Sequence, residues 1–189
     1  KEFQRLRRIK QLSTADKLFP SALHTRFSHS IGTYYVMKQL IEHFQEILSD
    51  MNLKIEKEEK DLALAAALWH DIGHGPFSHG FEGIIPDKDE KDHEIWTTEI
   101  ITSSYTEINK VLKDTFYNEF PENVAKLIDN SFNSDKVVNS FSKIDLFNII
   151  SSLVSSQLDA DRMDYLLRDS FHTGVSYGEF DLSRLINSL

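Results

Sequence analysis

The chain has 189 residues, no cysteine and a formal net charge of −9 at neutral pH. This length can bury a sizeable core, and the missing cysteine excludes disulfides, zinc–thiolate sites and cysteine nucleophiles. The sequence has no apolar run of the roughly 20 residues that a membrane span needs. Its acidic balance argues against non-specific binding to duplex nucleic acid. We therefore expect a cytoplasmic protein with no membrane partner and no duplex partner.

Apolar residues recur at helical spacing along most of the chain, which predicts an all-α fold. In chain order, helices are predicted over residues 3–12, 28–48, 59–71, 93–103, 122–129, 145–156 and 161–169. The third of these is alanine-rich and ends where Gly73, Gly75 and Pro76 break the pattern. The polar stretches at 84–92 and 130–140 are predicted to be loops.

The start of the chain, "KEFQRLRRIKQ", is strongly basic. On an acidic protein such a patch could receive a small phosphate ligand, and it could equally be a solvated helix face. The sequence opens on Lys1 and stops at Leu189, in both places inside a continuing pattern. We therefore expect residues 1–189 to be one domain core from a longer protein.

The stretch "WHDIGHGPFSHG" contains three histidines and an aspartate in a dozen residues. His70 and Asp71 offer nitrogen and oxygen donors, a mixture that suits Mn, Fe, Zn, Ni or Mg. The glycines there permit unusual backbone angles and the close approach of a ligand. Two ligands do not complete a site, so other segments must contribute. Candidates are found in "HTRFSHSIG", in "KDHEIW" and in "SSQLDADRMDYLLRD".

The segments "HTRFSHSIG", "HDIGHGPFSH", "HEIW" and "LDADRMDYLLRD" occur in an order and spacing that resembles the HD-domain phosphohydrolases. Among these enzymes the chain is similar to the deoxynucleoside triphosphate triphosphohydrolase, or dGTPase-like, branch. The resemblance extends over essentially the whole chain. It implies an HD-domain helical bundle with a divalent metal ion at its centre. The implied reaction converts a deoxynucleoside triphosphate to a deoxynucleoside and tripolyphosphate.

The resemblance also implies roles for individual residues. Metal ligation is implied for His29, His70, Asp71 and Asp161. Phosphate contact and proton transfer are implied for His74, His79, His93 and Arg26. Two positions depart from the family pattern: Glu82 stands where an aspartate usually supports the catalytic histidine, and Arg162 stands where a mammalian relative has lysine.

For the sugar, the resemblance implies that Gln11 and Asp169 bond the 3′-hydroxyl and that Tyr165 lies against the ring. Leu12 matches the position that restricts room for a 2′-hydroxyl. Gln4 and Arg7 match positions that bind a guanine nucleotide effector, GTP or dGTP. The relatives assemble as oligomers, so a homo-oligomer is expected.

Alternatives remain open at this point. The chain could be an HD enzyme that acts on another phosphate ester, such as a nucleotidase or a phosphodiesterase, or a catalytically inactive nucleotide-binding fragment. His24, His43 and His172 are interpreted as structural. Asp159 and Asp164 are interpreted as helix-capping groups or as supports for metal ligands.

Overall fold

The computed structural model describes residues 1–77, 93–129 and 146–189. These residues form helices and an isolated β-bridge between Lys10 and Thr25, with no strand, which confirms the all-α prediction. None of the helices within these ranges is long and apolar enough to cross a membrane. The helices are α1 (Glu2–Arg5), α2 (Arg26–Asp50), α3 (Lys57–Trp69), α4 (His93–Thr102), α5 (Glu107–Thr115), α6 (Phe120–Ile128), α7 (Leu146–Val154), α8 (Ala160–Thr173) and α9 (Leu182–Ile186), with short 3₁₀ turns at Leu6–Arg8 and Ala15–Lys17.

The 25-residue helix α2 is the centre of the bundle and packs along both α3 and α8. It begins in a capping box, in which the Thr25 side chain accepts from the Ser28 N–H. Helix α6 packs against α3 and α4 and completes the core. Side chains with no exposed surface fill the space between these helices: Met37, Leu40, Leu62, Ile101, Phe120 and Leu127.

Helix α8 has clear signals at both ends. The side chain of Asp159 accepts from the Arg162 N–H at 2.8 Å, which confirms the capping role predicted for Asp159. The helix stops at Gly174, whose φ of 76° is a left-handed conformation that glycine adopts without strain. These two ends fix the position of Asp161 in the first turn.

The prediction of one helix over residues 3–12 is wrong. Helix α1 and a 3₁₀ turn end at Arg8, because the next residues pair with the segment before α2. The Gln11 N–H donates to the His24 carbonyl at 3.0 Å, and the Arg26 N–H donates to the Ile9 carbonyl at 2.9 Å. Long-range pairing thus overrides the local helical pattern.

Elsewhere the predicted helices are present with shifted ends. Helix α8 continues to Thr173, four residues beyond the predicted 161–169, while α5 was not predicted at all. The predicted loops at 84–92 and 130–140 lie outside the described residues.

Candidate active site

The ends of three helices meet beside the core. His29 lies in the first turn of α2, Asp161 lies in the first turn of α8, and His70 with Asp71 follows the last residue of α3. His29 Nε2 lies 2.8 Å from Asp161 Oδ1 and 3.3 Å from His70 Nε2. His70 Nε2 lies 3.4 Å from Oδ1 of both Asp71 and Asp161. The structure therefore brings together the four residues that the resemblance implies as metal ligands, here called the metal cluster.

Hydrogen bonds behind the metal cluster determine which imidazole nitrogen faces it. His70 Nδ1 lies 2.8 Å from the Ala67 carbonyl oxygen, which can only accept, so Nδ1 carries a hydrogen. His29 Nδ1 lies 2.8 Å from Asp164 Oδ2, a carboxylate that favours the same tautomer. With a hydrogen on each Nδ1, the two Nε2 atoms face each other and the carboxylates of Asp71 and Asp161, where either a proton on one ring or a bound cation separates the two lone pairs. His29, His70 and Asp71 each offer one ligand atom within 4.8 Å of the others, and this set of imidazole nitrogens and a carboxylate oxygen could hold a divalent cation.

The charges of the metal cluster are consistent with a site for a divalent cation. Burial opposes a charge on His29, but the hydrogen bonds with Asp161 and Asp164 outweigh it and raise the pKa of His29 to about 10. Burial also disfavours the ionised form of Asp71, yet nearby cationic groups, first of them His70, hold the pKa of Asp71 well below its usual range. The carboxylates therefore remain ionised, and a proton occupies His29 when no metal ion is bound.

Asp71 also links the metal cluster to a second group of polar side chains. Its Oδ2 accepts from Arg26 Nη1 at 2.6 Å, and its Oδ1 lies 3.2 Å from His74 Nε2. The His74 ring stacks on the His93 ring with centroids 3.9 Å apart. Burial lowers the pKa of His74 to about 4, so this imidazole is neutral near pH 7. A guanidinium and two imidazoles therefore lie next to the metal cluster.

A cavity of about 350 Å³ opens onto these groups. Its lining combines two residues of the metal cluster with most of the residues predicted to contact substrate: Gln11, Leu12, Arg26, Asp71, His74, His93, Asp161, Tyr165 and Asp169. Residues from five separate segments of the chain thus face one space.

Arg162 faces a different space. Its Nε donates to the Ser156 carbonyl at 2.9 Å, and the residue lines a second cavity of about 170 Å³. The two cavities share Asp71, His93 and Asp161. The metal cluster therefore borders both, with Arg162 on one and the predicted sugar contacts on the other.

Two further groups of predicted residues have different outcomes. Arg7 Nε donates to Gln4 Oε1 at 2.7 Å, so the two predicted effector residues contact each other on the surface. The Arg7 guanidinium also lies 3.6 Å from the centre of the Phe27 ring. The predicted catalytic residues His79 and Glu82 lie outside the described residues.

Two supports of the site were not anticipated from the sequence. The Arg5 guanidinium donates to the carbonyl oxygens of Ile72 and His74, and so holds the turn that carries the metal cluster. The Gly73 N–H donates to Thr97 Oγ1 at 2.9 Å. A Cβ at Gly73 would overlap the backbone of α4, so the missing side chain allows α4 to pack closely here. From the sequence alone, the glycines of this stretch are instead attributed to the close approach of a ligand. No local pattern distinguishes such long-range contacts.

The fold is an all-α bundle, and the cluster of histidines and aspartates beside its core could hold a metal ion. The HD domain family model matches residues 26–168, which include every member of the metal cluster. The chain therefore belongs to the HD domain family, the metal-dependent phosphohydrolase fold that the sequence resemblance implies.

Relatives with curated sequences support the membership. The chain is 44% identical to the uncharacterized protein YwfO of Bacillus subtilis, over 98% of this chain and 38% of that protein. It is 31% identical to the deoxynucleoside triphosphate triphosphohydrolase SAMHD1 of Danio rerio, over 98% of this chain and 32% of that protein. The chain thus spans less than half of the length of these relatives.

Solved structures give the same fold. A hypothetical protein from Aquifex aeolicus matches the whole chain with a TM-score of 0.76 and 35% identity, over 44% of its own length. A phosphohydrolase from Bacteroides thetaiotaomicron matches 98% of the chain with a TM-score of 0.73 and 33% identity, over 40% of its own length.

Proposed function

We propose that the chain carries the catalytic core of a metal-dependent enzyme that hydrolyses deoxynucleoside triphosphates to a deoxynucleoside and tripolyphosphate. The cavity of about 350 Å³ is the observation that carries the proposal. It borders Asp71 and Asp161 of the metal cluster, the cationic Arg26, and the polar side chains of Gln11 and Asp169. A triphosphate needs a metal ion and a cationic side chain to bind it, and a sugar hydroxyl needs polar side chains as hydrogen-bond partners. Similarity to proteins named as such triphosphohydrolases supports the same reaction.

The proposed metal ligands are His29, His70, Asp71 and Asp161. When bound, a divalent ion (Mn, Fe, Zn, Ni or Mg) supplies Lewis-acid polarisation of a phosphoryl group and activation of water. The contribution of the chain is a set of donors that are already oriented. Asp164 and the Ala67 carbonyl hold the two imidazoles by Nδ1, so the rings need no rearrangement on binding.

In the proposed reaction, water adds to the α-phosphorus and the bond from that phosphorus to the sugar 5′ oxygen breaks. The 5′ oxygen takes up a proton as it leaves. We assign phosphate contact to Arg26, whose planar guanidinium suits phosphate oxygens, and to His74. We assign the proton donation to His93, which stacks on His74 and lines the same cavity. His79, Glu82 and Arg162 remain proposed contributors to the same steps.

The sugar half of the proposal rests on Gln11, Asp169, Tyr165 and Leu12. Gln11 Oε1 is a buried acceptor with no hydrogen-bond partner among the described residues, so a hydroxyl donor from a ligand would satisfy it. The Asp169 carboxylate is a second acceptor on the same cavity. The Tyr165 ring offers a flat surface for the sugar. The apolar Leu12 gives a 2′-hydroxyl no partner, which favours a deoxyribose.

Product analysis of the full-length protein tests this function. The metal-loaded protein is incubated with each of the four deoxynucleoside triphosphates, and the products are separated by chromatography. Tripolyphosphate together with a deoxynucleoside is the expected result. Orthophosphate or a nucleoside monophosphate would instead identify an enzyme for another phosphate ester. Bound metal with no turnover of any nucleotide would identify a non-catalytic module.

We propose in addition that a guanine nucleotide binds near Gln4 and Arg7 and that the full-length protein is a homo-oligomer. Both side chains are on the surface, and the Arg7 guanidinium can contact a phosphate or a purine face. GTP titrated against the full-length protein is expected to change both its turnover and its mass measured by light scattering. Unchanged turnover and no bound GTP would remove the effector proposal.

A further inference from the structure

His24 joins the two sides of the proposed sugar site. Its side chain is buried, and its Nε2 lies 2.7 Å from Oδ1 of Asp169, 145 residues later in the chain. Its main-chain carbonyl accepts the Gln11 N–H at 3.0 Å. One residue therefore holds both groups that we propose as partners of the 3′-hydroxyl.

The surroundings of the His24 ring determine the direction of this hydrogen bond. His24 Nδ1 is buried, and within the described part of the chain it has no hydrogen-bond partner. A hydrogen on Nδ1 would be an unsatisfied buried donor, which is rarer and less favourable than an unused lone pair. The hydrogen therefore belongs on Nε2, and His24 donates to Asp169. The His172 ring stacks on His24 with centroids 4.4 Å apart and an interplanar angle of 18°, which restricts rotation of the donor.

We infer that His24 is a positioning residue that keeps the Asp169 carboxylate directed at the 3′-hydroxyl of the sugar and so sets the preference for substrates that carry this group. The inference rests on the proposed function. Asp169 is buried and lines the cavity, so its orientation depends on the partners that hold it. With one oxygen fixed by His24, the carboxylate is already arranged for a substrate donor. Without that bond, it must be ordered when substrate binds.

Two amide substitutions of His24 in the full-length protein provide a matched test. The amide nitrogen of His24→Gln reaches the position of the imidazole Nε2, whereas the shorter side chain of His24→Asn does not. Both variants are neutral and polar, so a difference between them reports the hydrogen bond to Asp169. His43→Leu is the control, because His43 is another histidine of this bundle, is only partly buried and lines a different cavity, with Gln39.

The readout is kcat and KM for the best deoxynucleoside triphosphate and for its 2′,3′-dideoxy analogue. The analogue lacks the 3′-hydroxyl, so it acts as a chemical deletion of the contact. In His24→Asn we expect KM for the natural substrate to rise about tenfold, the size of a hydrogen bond to a charged group, with little change for the analogue. His24→Gln and His43→Leu should keep the preference of the wild-type protein for the deoxynucleoside triphosphate over its dideoxy analogue. Metal content should be the same in all variants.

Equal losses with both substrates in His24→Asn would overturn the inference and leave His24 as a purely structural residue. The same conclusion follows if His24→Gln loses the preference as fully as His24→Asn. Failure of the proposed function is a different result, in which the wild-type protein hydrolyses neither nucleotide. Metal analysis and the thermal midpoint of each variant separate these outcomes from a folding defect.

Discussion

His29 Nδ1 lies 2.8 Å from Asp164 Oδ2, although 135 residues of sequence separate the two. Asp164 is held in turn by two hydrogen bonds from Arg168, both of 2.8 Å. The carboxylate therefore fixes the imidazole that faces the metal cluster. For Asp164→Asn we expect metal affinity to fall about 10- to 100-fold, the range for loss of an outer partner of a ligand. A competition titration of the full-length protein with a chelating dye measures this. Asp114→Asn on the exposed side of α5 is the control and should bind metal normally.

Gly32 offers a second way to disturb the same pair. A Cβ at this position of α2 would overlap Asp164 Oδ1 and the Arg168 guanidinium. In Gly32→Ala the Asp164 carboxylate and the Arg168 guanidinium must shift, which disturbs the contact of Asp164 with His29. We expect a loss of about 1–3 kcal/mol in the free energy of unfolding, as for other overpacked sites, together with weaker metal binding. Denaturant titration and metal analysis of the purified variant measure both effects.

Ile31→Ala is the matched control, because Ile31 is the adjacent residue and 45% exposed. It should retain both stability and metal. A Gly32→Ala variant with unchanged unfolding and metal affinity would show that the Asp164–Arg168 pair can shift without consequence for His29.

The residues of the metal cluster lie in segments that sequence patterns identify well. Apolar periodicity predicts α2 and α3, and the glycines after Trp69 predict the end of α3 next to His70 and Asp71. The acidic stretch before α8 predicts the cap at Asp159. These are local features, in which a few neighbouring residues decide the conformation.

Contacts between distant segments were not predictable in this way. The chain leaves helix α1 early because Gln11 pairs with His24, and nothing in the helical pattern of the first residues indicates a partner there. Arg5 looks like one more surface cation in a basic helix, yet its guanidinium binds two carbonyls of the metal-site turn. His24 carries no local sign of its role, because its partner Asp169 lies 145 residues later in the chain. Periodicity and capping carry no information about such pairs.

Metal binding should release protons. In the metal-free protein Asp161 and Asp164 raise the pKa of His29 to about 10, so this imidazole is protonated between pH 7 and the pKa. A metal ligand must be unprotonated, hence about one proton per ion is displaced, and affinity should rise as pH increases toward that pKa. Calorimetric titration at pH 8 in two buffers of different ionisation enthalpy measures the number released. Identical heats in both buffers would contradict the assignment of His29 as a ligand.

Asp71 and His93 line the same cavity, but the proposal gives them separable roles. Asp71→Asn keeps the shape of the side chain and should lose bound metal and all measurable hydrolysis. Asparagine is preferable to alanine, because its amide oxygen can still accept from the buried Arg26 guanidinium, whereas Asp71→Ala removes this acceptor altogether, at a cost of about 3–5 kcal/mol. His93→Ala should keep the metal and slow hydrolysis about 10²- to 10⁴-fold, the range for a lost proton donor. Metal content and turnover are measured on the same samples. Loss of metal from His93→Ala, or normal turnover by Asp71→Asn, would show that the two roles are wrongly assigned.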